Sequence, residues 1–507
     1  MDREKSMKRL QEIDHEIVLY QHITALLGWD QETGMPAKGV EGRAEQLALL
    51  QGVLHDRMTD DEIGELLEEL GASEELPGGS DELSDMERGI VREYFREYNR
   101  VKKIPRRLVQ ELAVASSTAQ PVWVEARKQK DFSLFRPHLE KIVNLTRESA
   151  EALGYSDHPY DPLIDTYEPG MTTRGVAEVF SVLKDDIVAL LGSIAGKEPV
   201  NDAFLYEPYD AADQDRFGRM ILKDMGFDFE RGKLTESAHP FTTNVGKDDV
   251  RITTRYNEPS MSSSLFSTIH EGGHALYELG AANERLKGSC LGTGISLAVH
   301  ESQSRFWENI VGRSDQFWDH YYAELQRIFP GQLGSVSREA FVRGINRVEP
   351  SMIRVNADEV TYSLHIILRF ELEQALMDRS LPVADLPAAW NAGMKDMLGI
   401  EPADVGEGVL QDVHWSAGLI GYFPTYALGN LFSAQFFNTM LQEIPDYHDC
   451  IGSGNLIRVQ QWLDEKIYSQ GGIYTAGDLL KRVTGEELDP SYFSRYLIDK
   501  YSRLYGL

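Results

Sequence analysis

Residues 264–280 read SLFSTIHEGGHALYELG. Leu265, Phe266, Ile269, Leu276 and Leu279 recur at the spacing of one helical face, so the segment is predicted to be a buried helix. Within it His270, Glu271 and His274 form HExxH. On a helix, positions i and i+4 lie one turn apart on the same face. Both imidazoles can therefore reach one cation, with Glu271 beside them where a base for water would stand. Gly272 and Gly273 sit in the helix interior, where each costs about 1 kcal/mol relative to Ala. Close approach of a backbone or ligand to this helix would explain them, and a tolerated kink is the alternative.

A catalytic zinc wants a third protein ligand and one open position. The extension HExxHxxGxxH is absent, because Tyr277 and Gly280 stand where it needs Gly and His. The remaining candidates are Glu278, Glu284, Glu301 and Glu308. Glu278 lies on the same helix as the histidines, and Glu284 follows too soon for a separate element. Glu301, 27 positions after His274, sits best: Ile295, Val299, Phe306 and Ile310 predict a second helix after the turn at Gly292 and Gly294. Glu308 could share its face and support the site or lie on the surface.

Outward from this pair, Val250, Ile252, Thr254 and Tyr256 alternate with Arg251, Thr253 and Arg255, which predicts a strand before the central helix. The Ser262–Ser264 cluster between them can cap that helix. Helical stripes recur over 10–27, 132–153, 173–192, 360–376 and 432–444, and the Gly-rich acidic stretch 71–85 reads as a loop. The expected fold is mainly α, with a small sheet beside the central helix.

Composition narrows the function classes. Lys and Arg total 51 against 81 Asp and Glu, a formal charge of −30 that repels phosphate backbones and argues against nucleic-acid binding. Mean hydropathy is −0.35, and no window approaches the roughly twenty apolar residues of a membrane span. The charged opening stretch MDREKSMKRLQEIDH lacks a secretory apolar run, and Cys290 and Cys450 are the only cysteines. A cytoplasmic location and a metal site without sulfur are expected.

HEGGH followed by HESQ occurs together with HPF (239–241), DVRIT (249–253), IRVNAD (353–358) and GVLQDVHW (408–415). With WDQETGMP (29–36) and YDPLIDTYEPGMT (160–172), this set resembles the thermostable, Taq-type metallocarboxypeptidases over nearly the whole chain. The resemblance implies a large helical, cleft-bearing fold related to angiotensin-converting enzyme and neurolysin. It implies one domain over 1–507, with room for two lobes flanking the cleft, and assembly as a homodimer. It implies release of single residues from peptide C-termini with broad preference, aversion to C-terminal proline, and one divalent metal per chain, zinc or cobalt. By motif match His270, His274 and Glu301 become metal ligands and Glu271 the base.

The other motifs are then read for what peptide hydrolysis needs. Arg354 is the expected clamp for a terminal carboxylate, since guanidinium pairs bidentately with that group. Arg251 is a second anchor or a structural residue, and His239 is a substrate contact or a packed core residue. His414 as imidazolium and Tyr422 or Tyr426 as phenol are the expected oxyanion donors, with no choice between the tyrosines. Asp358 and Asp412 are expected to orient imidazoles, and His300, one residue from Glu301, to support the ligands. Two competing readings are an endo-acting oligopeptidase on the same metal site and a non-catalytic helical interaction protein with a structural metal. Amidated peptides separate the first; the presence of Glu271 argues against the second.

Overall fold

The computed structural model describes residues 3–507; Met1 and Asp2, the start of the charged opening stretch, lie outside the described residues. Helix dominates, as the periodicities predict. The stripe over 132–153 is the helix Phe132–Leu153, and that over 173–192 is Thr173–Ile194, which runs through Gly192 instead of stopping there. The stripe over 10–27 belongs to the longer helix Arg3–Thr33, and that over 360–376 to Tyr362–Met377. The last stripe understates its element. Helix Pro424–Glu443 begins earlier, with Pro424 in its first turn, where the missing N–H leaves no bond unmade. Loop 71–84 ends where Ser84 and Glu87 cap each other's backbone at the start of helix Asp85–Lys103.

The sheet has three strands: β1 (Gly232–Glu236), β2 (Thr242–Gly246) and β3 (Asp249–Thr254). The predicted strand, β3, lies in the middle, parallel to β1 and antiparallel to β2. Its Val250, Ile252 and Thr254 are buried, and Thr268 Oγ1 of the helix Met261–Ala281 donates to Thr254 Oγ1 at 3.0 Å. That central helix is the HExxH segment. Ser262–Ser264 fall inside its first turn instead of capping it: the N-cap position is Ser260, and Ser264 donates to Gln214.

Gly272 and Gly273 are explained by close approach. A Cβ at 273 would stand 2.6 Å from Gln303 O and 2.8 Å from Ser304 Cα, and one at 272 would stand 2.5 Å from Leu222 Cδ2. The backbone crossing at Gly273 is the predicted second helix, Leu297–Arg305, which passes into a π-helical turn, Phe306–Val311. A large apolar core extends from Leu108 to Tyr501 around these elements, and a smaller one gathers Leu10, Ile13, Leu67 and Ile90 in the N-terminal helices. Among the described residues no helix is long and apolar enough to cross a membrane.

Candidate active site

The central helix brings His270 and His274 to one face, and the second helix brings Glu301 across to meet them. Glu301 Oε2 lies 3.5 Å from His270 Nε2 and 3.5 Å from His274 Nε2, and the three donor atoms fall within 4.8 Å of one another. Two ligands about 2.0–2.1 Å from a tetrahedral zinc would stand about 3.4 Å apart. The residues present therefore fit a divalent cation. Burial pushes His274 down to about 3, so it is neutral and able to ligate. Burial opposes ionisation of Glu301, but Arg305 and His270 hold its carboxyl well below the usual range.

Each donor is held from behind. His270 Nδ1 meets Glu308 Oε2 at 2.9 Å, His274 Nδ1 meets His300 Nδ1 at 2.5 Å, and Arg305 Nε donates to Glu301 Oε1 at 2.6 Å. Such partners fix ring orientation and leave one atom per side chain for the metal. Gly429, on the helix Pro424–Glu443, lets that helix press on Glu301: a Cβ there would stand 2.7 Å from Glu301 Cγ. Glu271 is buried beside the triad, with its Oε2 accepting from Thr242 Oγ1 of β2 at 2.6 Å. Burial raises its carboxyl above the usual carboxylate range, toward that of a general base.

A second cluster is linked to the first through Tyr362. Arg305 stacks over the Tyr362 ring at 4.5 Å, and Arg354 Nη1 donates to Tyr362 Oη at 3.1 Å. Arg354 is buried, and its Nε and Nη2 donate to Asp412 Oδ1 at 3.0 and 2.9 Å. Arg369, fully buried, donates from Nε to Asp412 Oδ2 at 2.7 Å. Two guanidiniums share one carboxylate. The nearby Glu373 is pushed up to about 7 by burial, so it offsets the excess positive charge only in part. His414 Nε2 lies 3.3 Å from Tyr426 Oη, and the Tyr422 ring packs against Tyr426 at 5.4 Å and His414 at 5.6 Å.

Two comparisons decide the family. The Carboxypeptidase Taq (M32) metallopeptidase family matches residues 9–501, and thermostable carboxypeptidase 1 of Thermus thermophilus is 44% identical over all of both chains. The chain belongs to the M32 metallopeptidases. Carboxypeptidase 1 of Bacillus subtilis is 40% identical, with 96% of each chain covered. A solved M32 carboxypeptidase of Deinococcus radiodurans superposes with a TM-score of 0.95 at 38% identity, covering 99% of this chain and 100% of that one. This M32 protein is a metal-dependent carboxypeptidase that acts on peptides through a divalent metal.

Several residues of this M32 chain stand differently from expectation. Burial, with Arg354 and Arg369 adding to it against Asp412, lowers His414 to about 4, so it is a neutral imidazole at pH 7 and not the imidazolium expected. Asp412 is engaged by guanidiniums, not by an imidazole hydrogen bond. Asp358 accepts from Val360 N, Thr361 N and Glu349 N, which makes it an anchor of the turn before helix Tyr362–Met377 and not an imidazole partner. Arg251 pairs with Asp249 at 2.7 Å and stacks on Trp29 at 4.4 Å, while His239 is exposed. Glu284 pairs with Lys247 and Lys287 away from the triad. Sequence reasoning missed Arg305, Gly429 and Thr242. Arg305 was findable, since Glu301 and Arg305 are an i, i+4 pair on a predicted helix.

Proposed function

We propose that this carboxypeptidase releases single residues from free peptide C-termini with broad side-chain preference, with zinc as its resident metal and cobalt as a working substitute. The observation that carries this reading is the convergence of His270, His274 and Glu301 on one point, with buried Glu271 alongside and a cationic cluster joined to them through Tyr362. Two imidazoles and one carboxylate, without sulfur, form a donor set suited to either metal. When bound, the metal supplies Lewis acidity, lowering the pKa of water and polarising a carbonyl.

This chain's own residues then divide the work. Glu271 takes a proton from the attacking water and delivers it to the departing amine, with Thr242 keeping its carboxylate in place. His414, neutral, and Tyr422 or Tyr426 donate hydrogen bonds to the oxyanion as it develops. Arg354 reads the terminal carboxylate. Its Nε and Nη2 are held by Asp412 and its Nη1 by Tyr362 Oη, which leaves the second N–H of each Nη to meet substrate, and the shared Asp412 leaves positive charge for an anion to neutralise. Arg251 and His239 are secondary anchors at most, given the partners Arg251 already has and the exposure of His239.

We further read residues 1–507 as one domain, since the main core reaches from Leu108 to Tyr501 and the smaller N-terminal core packs Leu10, Ile13 and Ile90 with Leu286, Leu291 and Ile473, with the lobes on either side of the cleft. The assembly is a homodimer: helix Val40–Met58 buries none of its residues, and Leu49 is 70% exposed. A cytoplasmic site fits the two free cysteines. The functional test is hydrolysis of an N-blocked dipeptide by metal-stripped protein, alone and reloaded with zinc or cobalt. Hydrolysis restored by either metal supports the reading; equal hydrolysis without metal contradicts it.

A further inference from the structure

His274 presents Nε2 toward Glu301 and Nδ1 toward His300 Nδ1, 2.5 Å away. His300 in turn presents Nε2 to Glu278 Oε1 at 2.6 Å. Glu278 is buried on the central helix, one turn beyond His274. Its other contacts are Thr293 Oγ1 at 2.9 and 3.0 Å, Gly294 N at 3.4 Å and Asn244 Nδ2 of β2 at 2.6 Å.

We propose that Glu278 is a positioning residue for the metal site, acting on His274 through His300. The argument is one of proton placement. An ionised carboxylate only accepts, so the His300 nitrogen facing Glu278 must carry the hydrogen. In the tautomer that donates from Nε2 to Glu278, the opposite nitrogen, Nδ1, is a lone pair. Two ring nitrogens 2.5 Å apart share one hydrogen, which therefore sits on His274 Nδ1. That leaves His274 Nε2 as the lone pair directed at Glu301 and the shared donor point, the form a metal ligand must have. Without Glu278, His300 is free to take its other tautomer, which places a hydrogen between the rings from the wrong side and drives the proton of His274 onto Nε2. His270 needs no such chain, because Glu308 meets it directly.

This inference rests on His274 being a ligand, so the experiment treats the two separately. Full-length protein is stripped of metal and titrated with cobalt, reading affinity by chelator competition and ligand field by visible absorption. His274→Ala should abolish tight binding; wild-type affinity in that variant would overturn the ligand assignment and the inference with it. Glu278→Ala and His300→Leu should each weaken cobalt binding by about 10- to 100-fold and shift the absorption bands. His300→Gln keeps an acceptor toward His274 and a donor toward Glu278, so it should stay within about threefold of wild type with unshifted bands. Because the two residues act in series, the double variant should lose no more than His300→Leu alone. Unchanged affinity and spectra in both single variants, or losses that add in the double variant, would overturn the proposal. If Glu278→Ala fails to fold, the contrast between His300→Leu and His300→Gln decides it.

Discussion

At the metal pole of the cleft each donor has its own partner behind it, Glu308 for His270, His300 for His274 and Arg305 for Glu301. At the other pole Arg354 and Arg369 divide one carboxylate, Asp412, between them. The first arrangement gathers Glu271, Glu301 and Glu308 around a single point and so awaits a cation. The second leaves excess positive charge among Tyr362, Tyr426 and the neutral His414, and so awaits an anion. On the proposed reading, each pole lacks the charge that it binds. Under the proposed function, a peptide with a free C-terminal carboxylate would supply the second.

The sharpest way to break this contrast is to separate base from ligands within the metal pole. Glu271→Gln should keep the metal and lose activity by about 10²- to 10⁴-fold, whereas His274→Ala should lose metal and activity together. Metal analysis beside kcat checks both, and equal metal loss in the two variants would mean that Glu271 is a ligand. The next largest effect lies between the poles. His414→Gln, and Phe at whichever of Tyr422 or Tyr426 donates, should lower kcat by about 2.7–4 kcal/mol, roughly a hundred- to thousandfold, with little change in KM. Steady-state kinetics of the three single variants would identify the tyrosine; three near-normal kcat values would remove both tyrosines and His414 from the oxyanion role.

How far the sequence carried each pole differs for a physical reason. His270, Glu271, His274 and Glu301 lie on two helices whose periodicity is local, so spacing makes them candidates and the family motifs assign their roles. β3 was visible through its alternation, but β1 (GKLTE) and β2 (TTNVG) are short, polar and contain Gly, and they are strands because β3 offers them backbone partners. The carboxylate pole joins residues 354, 369, 412, 414 and 426 through loop contacts that no periodicity encodes. Arg369 therefore carries no signal in the sequence, and the imidazole partner expected of Asp412 gives way to guanidiniums. The charge of His414 was misjudged for the same reason: its burial beside two arginines exists only once the chain has folded.

A smaller effect sharpens the electrostatics of the second pole. Burial pushes Glu373, bonded to Tyr160, Trp415 Nε1 and Gly421 N, from 4.5 up to about 7. A carboxyl protonated more readily in the folded state favours folding below its unfolded value, and that contribution is lost as pH rises from about 4.5 to 7. His414 acts in the opposite sense, losing stability as pH falls from 6.5 toward about 4. The quantity to read is therefore the stability of wild type minus that of Glu373→Gln, from urea unfolding across this interval. It should fall by on the order of 3 kcal/mol as pH rises. A flat difference would mean that Glu373 is ionised throughout and that the second pole is neutral.

The most direct measurement compares one peptide with a free C-terminus and the same peptide amidated, following products over time by mass spectrometry with wild type and Arg354→Ala. Wild type should remove single residues in steps from the free peptide and leave the amide nearly untouched, since the cap would keep the Arg354 cluster desolvated and unpaired. Arg354→Ala should lose about 2–5 kcal/mol in kcat/KM on the free peptide and with it most of the preference. Internal cuts in both peptides, or an Arg354→Ala variant that still distinguishes acid from amide as wild type does, would contradict a cleft built on two opposite poles.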